Sequence, residues 1–284
     1  MQDTGTCLSV SVLALALALP ILSGCSPAPE APTELSDISR YVMREYDNED
    51  PRVLEAALVN LEAVFDGVDL EGDLRDERTF TPDNLTEEDL AGIETPEGMD
   101  PVNLVPVGVV GLSRQPVANH QAFQRQPNQL PAEPSAERYI RTYLSPDDPE
   151  CFGIDEECLL LQTENDIRRV NALMRIDFIL LKDFRLVDLE GDGPHEGRRA
   201  MVGRSWIATN YFGDNGANEL RQSYTQDFFI DREDGTTLRY QVLQSETLIN
   251  GNTIEPGLQQ AVVRGSIDDS FGAADDAIDE ILGN

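Results

Sequence analysis

Cations, histidine and long apolar runs are all scarce in this chain of 284 residues. Lys and Arg together number 21 against 53 Asp and Glu, a formal charge of −32, and Lys182 is the single lysine. A field of that sign repels phosphate backbones and anionic lipid headgroups. It argues against nucleic acid as a partner and against membrane attachment through a basic patch. The preference for Arg over Lys reads as genome composition. The two histidines, His120 and His195, have no metal-binding spacing, and with four cysteines the chain offers too few ligands for a zinc site. No complete catalytic or cofactor motif is present. Ser205, in Gly203-Arg204-Ser205-Trp206, lacks the flanking pattern of a nucleophile elbow and suits a strand instead.

One long apolar run does occur, from Leu8 to Leu22, and it leads into Leu22-Ser23-Gly24-Cys25. It has the length of a secretory signal core, roughly 7–15 apolar residues, and it ends in small residues that a peptidase can enter. Leu-Ser-Gly-Cys resembles the lipobox of bacterial lipoproteins, although Met1–Thr6 contains no Lys or Arg. The resemblance implies a signal peptide over 1–24, with a diacylglyceryl-modified Cys25 as the first mature residue. It also implies a place in the cell envelope, where Ser26 after the cysteine favours the outer membrane over the inner. Cleavage would remove Asp3 alone among charged residues, so attachment would rest on the acyl chains.

With Cys7 removed and Cys25 acylated, Cys151 and Cys158 remain. An exported pair so close together favours a structural disulfide over free thiols or a redox or metal pair, since the spacing is not Cys-x-x-Cys. Residues 25–34 are then the lipidated cysteine and a Pro-rich tether. Fully extended at about 3.1 Å per residue, its Pro-spaced part would reach about 28 Å and should be mobile.

Residues 35–95 read as helical. Ser36 can cap a helix with Ile38, Tyr41, Val42 and Tyr46 on one face. Asp50-Pro51 supplies the N-cap and first residue of a second, with Val53, Leu54, Ala57, Leu58, Leu61, Val64 and Phe65 at helical spacing, and Gly67 to stop it. Thr86-Glu87-Glu88-Asp89 reads as one more capped turn. Residues 96–134 hold many prolines, and only Val102 to Leu112 looks able to form a strand; an irregular excursion is expected, disordered around Gln121 to Pro134.

In residues 135–284, short helices are expected from Ser135 to Leu144 and from Thr163 to Leu173. Four β-rich runs follow at 176–189, 198–212, 219–232 and 236–249. In the third, apolar residues alternate with Ser223, Thr225 and Asp227, so one face should be buried and the other wet. A three-residue loop of Glu233, Asp234 and Gly235 pairs Ile230 with Leu238 and Phe228 with Tyr240, which keeps apolar residues on one face. A last helix begins at Ser266, with Ile267, Phe271, Ala274, Ile278 and Leu282 as its stripe. The expected fold is α+β, an antiparallel four-stranded meander covered by helices, with an irregular Pro-rich excursion.

Val68-Asp69-Leu70-Glu71-Gly72-Asp73 recurs as Val187-Asp188-Leu189-Glu190-Gly191-Asp192. Oxygens at alternate positions followed by glycine are half of a calcium loop, which makes Asp188, Glu190 and Asp192 the candidate ligands; the twelfth position, however, is Arg199 rather than Glu. Without an ion, both copies are acidic turns. An acid–base pair could be assembled from His195 with Asp188 or Asp192 beside Tyr211. Trp206, Tyr211, Tyr224 and Tyr240 could line a concave ligand site, although aromatics at strand spacing are more often core, and both histidines read as surface side chains. The favoured reading is a non-enzymatic, lipid-anchored envelope protein with a binding or structural role and another envelope protein as partner. The alternative is a periplasmic small-ligand-binding or hydrolytic domain. A deep polar pocket on the meander would favour the second, and a filled core under a flat sheet the first.

Overall fold

A computed structural model describes residues 29–70, 76–155, 157–171, 174–189 and 197–283. Cys25, the signal segment, Glu190, Asp192 and His195 lie outside the described residues. The described residues begin with two helices, α1 (Leu35–Glu45) and α2 (Pro51–Val64). Short strand β1 (Thr79–Phe80) and long strand β2 (Val105–Ser113) precede α3 (Val117–Gln124). Then come β3 (Ala136–Ser145), β4 (Leu160–Val170), β5 (Arg175–Leu189), β6 (Arg198–Trp206), β7 (Tyr211–Phe212), β8 (Glu219–Asp231), β9 (Thr237–Ile249) and β10 (Asn252–Thr253), and α4 (Pro256–Leu282) ends the fold.

This is not a four-stranded meander covered by helices. Among the described residues there are ten strands in one antiparallel sheet, ordered β1-β2-β9-β8-β6-β5-β4-β3, with β7 and β10 added to β8 and β9. The expected helices at 135–144 and 163–173 are instead strands β3 and β4. Their inward positions include Arg141, Thr163 and Asn165, all buried, so no apolar alternation marks them in the sequence. Arg141 donates from Nε to Asn165 Oδ1 at 3.0 Å and from Nη1 to the carbonyl of Gln124 at 2.7 Å.

The Pro-rich segment is also ordered. It contains β2, which pairs with β9 along its whole length, and α3. Tyr143 Oη donates to the carbonyl of Arg125 at 2.6 Å, and Gln129 Nε2 to that of Phe123 at 2.9 Å. Ala31 and Pro32, expected to belong to a mobile tether, are held in place: Asn60 Nδ2 donates to their carbonyls at 3.1 and 2.9 Å.

Ser36 does not cap α1: it lies inside the helix, which begins at Leu35, and its Oγ accepts from the Asp83 backbone N–H at 3.1 Å. Several other local expectations agree with the structure. Asp50 caps α2 by accepting from the Arg52 backbone N–H, with Pro51 as the first helical residue. In the 86–89 turn Thr86 N and Oγ1 both donate to Asp89 Oδ2. The β8–β9 hairpin pairs Ile230 with Leu238 and Phe228 with Tyr240, and Gly235 has φ +83°. A single Cβ-free residue is what a left-handed turn position favours. Cys151 and Cys158 are joined by a disulfide, with Cα atoms 5.8 Å apart. The last helix starts earlier than Ser266: Glu255 caps it by accepting from Leu258 N–H, and Pro256 is its first residue.

Strand register gives the sheet two distinct faces. On the outer face Val187, Ala200, Ile230 and Leu238 form one lateral row, and Val202, Phe228, Tyr240 and Val110 another. Both rows are buried under α1 and α2, against Ile38, Val42, Leu54, Leu58 and Leu61. The inner face, expected to be wet, is covered as well. Ile267 and Phe271 of α4 pack on Val107 and Val109 of β2, and α3 closes the adjoining end.

Candidate functional site: a cavity under the last helix

Covering a sheet with a single helix leaves space where side chains are short, and the inner rows place short polar residues there. Lys182, Ser205, Thr225, Leu243 and Val107 lie side by side across five strands; the next row is Phe184, Gly203, Asp227, Gln241 and Val109. Between these rows and α4 is a cavity of about 140 Å³. Its walls are apolar at Ile176, Phe178, Leu180, Leu243, Val263 and Ile267. Hydroxyls and amides from Ser205, Ser223, Thr225, Ser245 and Gln241 also face it. A mostly preformed space with apolar walls and a few converging polar groups is the usual form of a small-molecule site.

The polar groups gather at the inner end. Glu133, carried in by the chain after α3, accepts from Arg169 Nη2 at 3.1 Å and from Lys182 Nζ at 3.4 Å. Lys182 also lies over the Tyr139 ring, 5.7 Å from its centre. Burial raises the carboxyl pKa of Glu133, but the charges of Lys182 and Arg169 outweigh it and leave it below the usual range. Burial acts on Lys182 in the opposite sense and is also overcome, by Tyr139, Glu133 and Asp227, so its pKa is raised. Asp227 is different. Burial dominates there, only partly offset by Lys182 and Arg239, and its carboxyl is pushed up.

A second chamber of about 70 Å³ continues from this end, bordered by His120, Phe229, Arg239 and Gln129, and it shares Glu133, Lys182, Asp227, Gln241 and Ser270 with the first. His120 is not a surface residue: it is 1% exposed, because α3 turns its side chain inward. Its Nε2 lies 2.8 Å from Ser113 Oγ, which donates to Asp275 Oδ1 at 2.5 Å. Burial, reinforced by the charge of Arg239, pushes the imidazole well below its ordinary value and keeps it neutral.

The sequence-derived candidates fare unevenly. Ser205 does face the cavity, as part of β6. Trp206, Tyr224 and Tyr240 do not: they point to the outer face, where Trp206 and Tyr224 pack with Met43, Leu85, Leu90 and Leu104. Tyr211 packs on Phe178 near the start of β5. Asp188 is ten residues further along that strand, about 33 Å away at strand rise, so the two share no site. Asp188 accepts from Arg199 Nε at 2.8 Å, and thus the residue at the twelfth loop position neutralises the first candidate calcium ligand. Among the described residues no group of three or more His, Cys, Asp or Glu could hold a metal ion.

Sequence reasoning does not single out Lys182, Glu133, Asp227, Arg239 and His120 as a site. One signal was available: in Ile176, Phe178, Leu180, Lys182, Phe184 a charge interrupts an apolar period-two series. A charge at an inward strand position needs a partner or a polar cavity.

No protein-family model matches the chain, and no curated protein sequence matches it. Several solved structures are similar to it at low identity. A protein of Thermus thermophilus superposes with TM-score 0.36 at 10% identity, over 61% of this chain and 96% of its own. A conserved protein of Geobacillus kaustophilus gives 0.37 at 11% identity, over 62% and 95%. The human StarD13 lipid transfer and protein localization domain gives 0.35 at 10% identity, over 61% and 76%. Scores of this size do not establish a common fold.

Proposed function

We propose that this chain is a ligand-binding domain that holds a small amphipathic molecule between α4 and the inner face of the sheet. The cavity itself carries the reading: its apolar walls suit a hydrocarbon body, and its one charged end suits a polar head. Binding is preferred to hydrolysis because two of the groups able to move protons, His120 and Glu133, are committed elsewhere. His120 Nε2 is taken by Ser113, and Glu133 is held between two cations. We further propose that the domain is moored to the cell envelope through Cys25, as the lipobox resemblance implies. With Ala31 and Pro32 fastened to Asn60, the leash from Cys25 would be only about five residues, or roughly 17 Å when extended.

Filling the cavity tests the binding role. Leu243→Trp should leave the fold intact while abolishing uptake of an environment-sensitive alkyl fluorophore; unchanged uptake would refute the site. Mass spectrometry of the mature N-terminus, together with envelope fractionation, tests the anchor. A free, unmodified N-terminus in the cytosolic fraction would refute it.

A further inference from the structure

Arg239 is a buried cation with no carboxylate in contact, and unlike Arg141, which donates to Asn165, Tyr139 and the Gln124 carbonyl, it has almost no neutral acceptor either. Arg239 is 7% exposed, and its guanidinium is sandwiched between the rings of Phe229 and Phe271, 4.8 and 4.1 Å from their centres. Of its five N–H donors one makes a hydrogen bond, from Nη1 to the carbonyl of Phe271, and that bond is long at 3.5 Å. Among the described residues no carboxylate lies within ion-pair distance of it. Asp275, on the facing helix, is already engaged by Ser113 Oγ and the backbone N–H of Arg114. Glu133 holds Lys182 and Arg169. Buried charges ordinarily have a partner, and this one borders the inner chamber.

We infer that the inner chamber takes the carboxylate of an amphipathic monocarboxylic acid, with Arg239 as its principal donor and the apolar part lying in the main cavity. The inference rests on the ligand-binding reading above. The charges select an anion: an ammonium head would meet Arg169, Lys182 and Arg239 together, while Glu133 already holds Arg169 and Lys182 and burial disfavours the charged form of Asp227. A single charge suffices, because Arg239 is the cation bordering the chamber that has neither an ion pair nor a short hydrogen bond. Asp227, on the neighbouring strand, borders the same chamber, and burial raises its carboxyl pKa.

Calorimetric titration of the full chain with octanoate, 1-octanol and octylamine tests this. Octanoate should bind at least tenfold more tightly than 1-octanol, and octylamine most weakly. Arg239→Gln should bring octanoate down to the affinity of 1-octanol without altering the latter. Equal binding of octanoate and 1-octanol to the wild type, or preference for octylamine, would overturn the inference and leave the cavity reading standing. Binding of none of the three would overturn both. Should Arg239→Gln fail to fold, the order of the three probes on the wild type decides alone.

Discussion

At the scale of single residues, the outer face pairs its buried Arg204, whereas Arg239 on the inner face has no ion pair. On the outer face Arg204 is fully engaged: it ion-pairs with Asp183 and Asp47, each at 2.9 Å, and lies over the Tyr46 ring at 4.1 Å. The side chains of Arg204 and Asp183 are 6% and 4% exposed, whereas Asp47 is 57% exposed. Removing one partner of a buried pair leaves an uncompensated charge, so Arg204→Met should cost about 3–5 kcal/mol. Asp47→Asn, at the wet end, should cost under about 1 kcal/mol. Urea unfolding midpoints of the two variants check the contrast. On the inner face His120 makes stability depend on pH. Its folded pKa lies well below the unfolded value of about 6.5, so the unfolded chain binds the extra proton. Stability is therefore lost as pH falls below about 6.5, by up to about 1.4 kcal/mol per unit from this group. His120→Gln, which keeps an N–H near Ser113, should flatten that slope between pH 6.5 and 5; an unchanged slope would contradict the neutral buried imidazole.

At the scale of elements, local rules worked where backbone geometry or a clear apolar stripe was at stake. Asp50-Pro51 begins α2, and Gly235 sets the β8–β9 register. Gly235→Ala should therefore destabilise by about 1 kcal/mol, since an L residue resists positive φ. Gly265→Ala should do the reverse: it lies within α4, its added Cβ would meet nothing within 4 Å, and helix propensity favours Ala by about 1 kcal/mol. Thermal unfolding of the pair gives opposite shifts if both arguments hold. Period-based reading failed for β3 and β4, where inward positions carry Arg141, Thr163 and Asn165. Alternation is visible only when the inward face is apolar, and a strand that lines a polar interior hides it. The acids of α4 lie off its apolar stripe, where solvent would be expected, yet several make tertiary contacts. Asp268 accepts from Arg78 at 2.6 Å, and Asp275 and Asp279 hold Ser113, Arg114 and Gln115.

At the scale of the whole molecule, a charge of −32 opposes compaction, and exposed like charges are screened within about a Debye length. The melting temperature should rise as sodium chloride goes from about 20 to about 500 mM, in scans at fixed pH. A fall would mean that surface ion pairs, such as those of Arg138 and Arg168 with Asp166, Asp177 and Asp214, outweigh the net repulsion. The same field bears on the proposed ligand, because an acid approaching this surface is repelled until it reaches the interior.

What the sequence determined by itself was local or global in the simplest sense: the acidic field, the start of α2, the tight hairpin and the proximity of the two late cysteines. Each depends on neighbours along the chain or on a sum over it. Only the tertiary structure decided that α4 lies across the inner face, that Lys182, Asp227 and Glu133 from three distant segments meet under it, and that Arg239 stands there without a contacting counter-ion. Those facts depend on strand order and register over more than a hundred residues, and side-chain periodicity carries no record of which strand lies beside which.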